Sequence, residues 1–312
     1  MIRKKKYVAP FGGFNKWIQF IAARLVLWVL AKLPLRISYT LGECFGSFLW
    51  KFLKGRRATV RQNLEIVHAW MVSNGRLETS ALSEASLEDS VRRVFLRSGA
   101  NLISGFALGH LSLEQQIKHI EIEGIEELRS CSESGKGFIV LLAHMGPWES
   151  LTSLGPLFKA KYNLEVTLGA MYRPLNNNYL EAWYRKQRER LGTHMFSRRD
   201  SFKDIFKFLN NGGLLAILAD QRIKRGEVSD FFGEPALTTP LLKTLVRGSN
   251  AEVFSTALYY DRSCKLKLKF HPVDLGDAST RADYAALTNR EVERMLSEDI
   301  TGGFWLHRRF FR

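Results

Sequence analysis

The segment His144-Met-Gly-Pro-Trp-Glu149 sets an imidazole and a carboxylate five positions apart. Histidine takes up and returns protons near neutrality, and a carboxylate bonded to one ring nitrogen fixes the tautomer. The other nitrogen can then draw a proton from an alcohol. Pro147 suits the first turn of a helix and Glu149 falls in that turn. The spacing therefore predicts a His144–Glu149 general-base pair at a helix N-terminus, with no protein nucleophile. The same residues also fit a helix-capping glutamate beside a hydrogen-bonded structural histidine. In a chain with seven histidines, HxxxxE is a weak pattern by itself. Its setting has to add the information.

That setting is the end of a strand. Residues 138–143 (FIVLLA), 165–170 and 214–219 (LLAILA) are short, continuous apolar runs bounded by glycine or polar residues, as in strands buried on both faces. Helical patterns separate them. One covers 179–191, opened by Asn176, Asn177 and Asn178 and closed by Gly192; another covers 201–209, closed by Gly212 and Gly213. The alternation predicts an α/β fold, a mostly parallel mixed sheet flanked by helices. Ligands of such sheets bind beyond the carboxyl ends of the strands. His144 and Glu149 follow the first run, Arg173 the second, and Asp220, Gln221 and Arg222 the third, so all are expected at one end. Nearer the terminus, residues 252–260 and 265–271 bracket the turn DRS. The alternating KLKLKF reads as a half-exposed hairpin strand toward the sheet edge.

The chain has 312 residues, 46% hydrophobic and 25% charged, which permits one large domain with a substantial core and excludes a disordered or fibrous chain. Its net charge of +15 implies an anionic partner. No zinc spacing, aromatic RNA-binding pattern or basic recognition helix is present, so no nucleic acid is expected. The N-terminus points instead to anionic membrane lipid. IRKKK at 2–6 precedes an apolar, aromatic stretch over 14–35, which contains Trp17, Phe20 and Trp28. Lys16, Arg24 and Lys32 interrupt it, and its longest uncharged run, 25–31, falls short of the roughly 20 residues of a clean span. An interfacial or marginally inserted anchor fits better, with the cation stems snorkelling. A second apolar helix at 37–53 ends in Lys54, Arg56, Arg57 and Arg61. Two core helices with solvated basic faces are the other reading. The organisation expected is a membrane-associating helical region over 1–60 and a catalytic domain over 61–312, with a polar excursion between 73 and 90. Cys44, Cys131 and Cys264 are scattered, which suggests no disulfide framework, no metal site and a catalytic region facing a reducing compartment.

Beyond these patterns, the chain resembles, over nearly its whole length, the late acyltransferases of lipid A biosynthesis. These belong to the glycerolipid-acyltransferase-like group, which uses an HxxxxD/E motif. The resemblance is carried by LPLRISYTLGECFGSFLW, RRATVRQNLEIV at 56–67, LLAHMGPWE, YRPLNNNYLEAWYRKQRERLG at 172–192, SRRD at 197–200, ADQR with DFFGEPALTTP at 219–240, and FWLHRRF at 304–310. It implies that His144 deprotonates the acceptor hydroxyl, with Glu149 as its orienting partner. The donor would be an acyl carrier protein or coenzyme A thioester, with no resident cofactor, and the acceptor a lipid A precursor or related glycolipid. Arg173 would bind phosphate or the oxyanion. Asp220 would support the arginines or contact substrate, and Arg188 and Arg190, on the helix after Arg173, are further phosphate candidates. The place implied is the cytoplasmic face of the bacterial inner membrane, peripheral or held by a single N-terminal anchor. Arg222 stands where an acidic residue is usual, and no Pro-Glu pair precedes FWLHRRF, in a loop expected to line the acceptor groove. Other readings are an acyltransferase for a lysophospholipid or phosphatidylinositol mannoside, and a non-enzymatic basic membrane-surface protein that would leave the strand-end residues idle.

Overall fold

A computed structural model describes residues 13–197 and 199–311. The basic head at 2–6 and Arg198 of the SRRD segment lie outside them. Four helices come first: α1 (Phe14–Leu30), α2 (Leu35–Phe52), α3 (Lys54–Ser73) and α4 (Glu84–His110). Ser83 caps α4 by accepting from the Ser86 amide. Gly42 and Gly46 of α2 lie directly on Gly99 and Ala100 of α4, and a Cβ at Gly46 would overlap the Phe95 carbonyl. Small residues at this crossing let two backbones touch where side chains would hold them apart. None of the residues of α1 is buried. That helix is tied down at one end, where Asn177 Nδ2 donates to the Lys16 carbonyl at 2.8 Å and Lys16 Nζ donates to the Asn176 carbonyl at 3.1 Å. Among the described residues no helix is long and apolar enough to cross a membrane.

The remainder alternates. The order is α5 (Leu113–His119), β1 (Ile120–Glu123), α6 (Ile125–Glu133), β2 (Phe138–Leu142), a 3-10 turn at Trp148–Ser153, α7 (Gly155–Tyr162), β3 (Leu168–Tyr172), α8 (Asn178–Arg188), β4 (His194–Ser197), α9 (Phe202–Asn210) and β5 (Leu214–Leu218). The hairpin β6 (Glu227–Phe231) and β7 (Glu234–Thr238) follows, then α10 (Leu241–Gly248), β8 (Glu252–Tyr260), β9 (Leu266–Pro272) and α11 (Arg281–Glu298). Seven strands form one sheet in the order β1-β9-β8-β2-β5-β3-β4, parallel except between β8 and β9. The fold is thus α/β with a mostly parallel sheet flanked by helices. All five residues of β2 are buried, as its uninterrupted apolar run requires.

Two expectations shift. The KLKLKF strand is β9, which is covered by β1 and so stands one place in from the edge. Its alternation is answered by IEIE: Ile120 and Ile122 face Leu266 and Leu268, while Glu123 accepts from Lys267 Nζ at 2.5 Å. A charged, half-exposed strand is therefore paired on its outer side by a strand of complementary pattern. The run expected at 165–170 is paired over Leu168–Tyr172, and Glu165 is instead held outside the sheet by Lys159.

Parallel register fixes what lies beyond the strand ends. Leu142 of β2 is paired with Leu218 of β5, and the Ala219 amide donates to the Leu142 carbonyl at 2.9 Å. His144 and Asp220 each stand two residues past that rung, on neighbouring strands and on the same side.

Candidate active site

His144 leaves β2 on a loop braced by the C-terminal segment. The Phe304 amide donates to the His144 carbonyl at 2.7 Å, Met145 forms an isolated antiparallel bridge with Gly303, and the Gly146 amide donates to the Gly302 carbonyl at 3.3 Å. Gly146 has φ +55°, with Leu258 pressed beside it, so the sharp turn out of the sheet is a glycine conformation. Trp148 meets the imidazole edge-on with ring centroids 5.1 Å apart, and Phe304 closes another side at 6.4 Å. The ring is held by aromatic packing as well as by hydrogen bonds.

The ring's carboxylate partner is Asp220. His144 Nδ1 lies 2.6 Å from Asp220 Oδ1, with Asp220 buried and 15% of the His144 side chain left open to solvent. A hydrogen on Nδ1 donates to the carboxylate, which leaves Nε2 as the acceptor, 3.3 Å from the Gln221 side-chain amide. Burial alone would raise the Asp220 carboxyl, but the adjacent imidazole outweighs it and holds the carboxyl below its ordinary value. Burial likewise works against protonation of His144. The charge of Asp220, its hydrogen bond and, more weakly, the charge of Glu149 prevail and raise the imidazole above its ordinary value.

The assignment of Glu149 as the residue that orients the ring is corrected here. Its carboxylate accepts two hydrogen bonds from Arg188, from Nη2 at 2.6 Å and from Nε at 3.0 Å, and acts on the imidazole only through its charge. The reason is local: the 3-10 turn at Trp148–Ser153 carries Glu149 toward α8, while the parallel register delivers Asp220 to the ring. Arg188, expected as a phosphate ligand, is engaged in this pair and lies over the faces of Tyr184 and Tyr172, its guanidinium carbon 4.3 and 5.5 Å from the two centroids. Arg190 does not share the helix: α8 ends at Arg188, and Arg190 donates to the Gly109 carbonyl at 2.9 Å. Arg173 lies one residue beyond β3 with an exposed side chain. Arg222 donates to the Phe310 carbonyl at 3.5 Å and stacks on Phe311, so the departure at this position fastens the C-terminal segment.

Beneath the pair runs an apolar cavity of about 100 Å³, between one face of the sheet and the layer made by the 3-10 turn and α7. Trp148, Glu149, Tyr172 and Arg188 line it toward the carboxyl ends of the strands, and Phe158, Leu168, Leu214 and Phe270 line it elsewhere. Trp148, which packs on the His144 ring, is part of that lining, so a residue able to deprotonate a hydroxyl stands one side chain away from a space suited to an alkyl chain.

The sequence profile of the bacterial lipid A biosynthesis acyltransferases matches residues 12–312. The chain belongs to that family. Among curated members, it is 24% identical to the lipid A biosynthesis palmitoleoyltransferase of Escherichia coli K12, over 99% of this chain and 96% of the relative. It is 28% identical to a lipid A biosynthesis acyltransferase of Haemophilus influenzae, over 94% of this chain and 90% of the relative. To the lipid A biosynthesis lauroyltransferase of Escherichia coli K12 it is 25% identical, over 91% of this chain and 89% of the relative. These family members are acyltransferases of lipid A biosynthesis, and the chain shares their nearly full length.

Sequence reasoning missed the imidazole's aromatic clamp and gave Asp220 a subordinate role. The signal for the second was within reach: runs FIVLLA and LLAILA of equal length, each followed by a polar residue, place His144 and Asp220 level if their strands are neighbours. Strand order was the missing fact.

Proposed function

We propose that this acyltransferase moves a fatty acyl chain from a thioester of acyl carrier protein or coenzyme A to a hydroxyl of a lipid A precursor, with His144 as general base. The observation that carries the reading is the 2.6 Å bond from His144 to buried Asp220, which leaves Nε2 as the accepting nitrogen of a ring that follows the cavity-lining Leu142 by two residues. The acceptor hydroxyl gives its proton to Nε2 as its oxygen attacks the thioester carbonyl carbon. When the C–S bond breaks, the imidazolium returns that proton to the departing thiolate, leaving ester and thiol without a covalent acyl-enzyme. Asp220 stabilises the imidazolium between the two steps. Arg173, exposed just past β3, is the residue we assign to a phosphate of donor or acceptor. The cavity takes the acyl chain. The chain resembles a palmitoleoyltransferase and a lauroyltransferase about equally, so overall similarity does not select a chain length.

The helical region up to residue 60 is the part that meets the membrane. Supporting this, α1 and α2 expose Trp17, Leu25, Trp28, Phe45, Phe48 and Phe52, on a chain of net charge +15. Anionic lipid is the surface such a face would seek at the cytoplasmic side of an inner membrane. The deciding experiment is His144→Ala with a labelled acyl thioester and a lipid A precursor. Folding by circular dichroism should be retained and transfer should fall by about 100- to 10,000-fold. Transfer at the parent rate would exclude the mechanism.

A further inference from the structure

We infer that Ala170 and Ala216 form the waist that sets how much acyl chain this enzyme admits, an inference that rests on the acyl-transfer reading above. The two residues are paired across adjacent parallel strands, and Val140 pairs with Ala216 from the other side. Ala216 belongs to β5, which has a strand on each flank, yet it is only half-buried. The sole account for exposure at so central a place is the cavity lying against it, which Ala170 and Ala216 both line.

Size varies from rung to rung along this face. Leu142 and Leu218 make the rung nearest the base, and Leu168 and Leu214 make the rung at the far end. Between these large rungs, two methyl-sized side chains at the centre of a rung flanked by Val140 and Met195 leave the space that an alkyl chain needs to pass. From Leu218 to Leu214 the strand advances four residues, or about 13 Å at the rise of a parallel strand. A chain whose carbonyl lies at His144 must cross the alanine rung to use that depth. Side chains in a packed sheet cannot move aside at little cost, so bulk added at the waist shortens the usable cavity.

The experiment compares Ala170→Val and Ala216→Val with the parent enzyme, using saturated acyl thioesters of increasing length and one lipid A precursor. Valine suits a strand interior and fills empty space, so both variants should fold with unchanged or raised Tm. Each should keep transfer from shorter donors and lose it progressively from longer ones. Every methylene excluded from the cavity should lower kcat/KM by about fourfold. Leu214→Ala should move the profile in the opposite direction, toward longer donors. Identical chain-length profiles in parent and both valine variants would overturn the waist while leaving acyl transfer intact. A parent enzyme that transfers from no thioester of any length would overturn the acyl-transfer reading, and the waist with it.

Discussion

Arg188 holds both oxygens of Glu149, at 2.6 and 3.0 Å, with only 15% and 27% of the two side chains exposed. Burial works against the Arg188 charge, but Glu149 more than restores it and keeps the guanidinium above its ordinary value. The ion pair is thus a strut between the 3-10 turn and α8, and both of its residues line the cavity. Removing one partner leaves the other poorly solvated and unpaired. A double-mutant cycle of Glu149→Gln and Arg188→Met should return a coupling of about 1–3 kcal/mol in urea unfolding. Additive single-variant losses would mean that the pair contributes nothing.

Asp220→Asn should lower acyl transfer by about 100-fold or more, because an amide neither stabilises the imidazolium nor fixes the tautomer. Glu149→Gln leaves the Nδ1 hydrogen bond in place and should cost less in kcat than Asp220→Asn. The comparison is decided by kcat for the two variants under one donor; a larger loss in Glu149→Gln would reverse the assignment of the ring's partner.

The pH dependence follows from the same pair. His144 is raised above its ordinary value of about 6.5. Its contribution to folding is fully present below 6.5 and is lost as pH rises through the raised value. Asp220 is lowered, so its contribution is present above about 3.8 and is lost as pH falls through the depressed value. Catalysis needs the neutral ring, so kcat/KM should rise with pH through a midpoint above 6.5. In Asp220→Asn burial acts unopposed by the main counter-charge, and the residual activity should titrate at lower pH. An acid limb unmoved by that substitution would contradict the electrostatic account.

Gly46→Ala should destabilise the helical layer by at least about 1–3 kcal/mol, since the added methyl meets the Phe95 carbonyl with no flexible side chain to give way. Thermal unfolding would register this as a fall in Tm. The same change at Gly55, where nothing lies within 4 Å of the new atom, should be neutral or stabilising.

Replacing Phe45, Phe48 and Phe52 with glutamate should release the protein from anionic vesicles, as these side chains are 40%, 54% and 66% exposed along one stretch of α2. Co-sedimentation across a salt series is the measurement. Parent-like binding by the triple variant would move the lipid contact elsewhere on the molecule.

Much of this was legible in the residue order because strand interiors are written in apolar runs and helix ends in caps. Residues 138–143 and 214–219 became β2 and β5 to within one residue, and Asn177 caps α8 by accepting from the Tyr179 and Leu180 amides. Asp220 was found as a strand-end residue yet misjudged in role, because adjacency of β2 and β5 is a topological fact formed by residues 76 positions apart. Glu149 misled for the opposite reason. Proximity in sequence suggested contact with His144, and the turn at Trp148–Ser153 spent that proximity on Arg188. The tail's part was hidden too: FWLHRRF carries the resemblance, but the burial of its Trp305, Arg309 and Phe310 is set by distant partners that the segment does not name.

The tail that braces the histidine loop ties the aim of the base to a distant part of the chain. Residues 302–304 supply the backbone partners of residues 144–146, more than 150 positions earlier in synthesis. A chain stopped short of Gly302 would carry its base, its carboxylate and its tunnel, and still lack the splint that aims the imidazole. Such a chain would also lose the buried Trp305, Arg309 and Phe310, so the aim of the base and the packing of the fold depend on the same short segment.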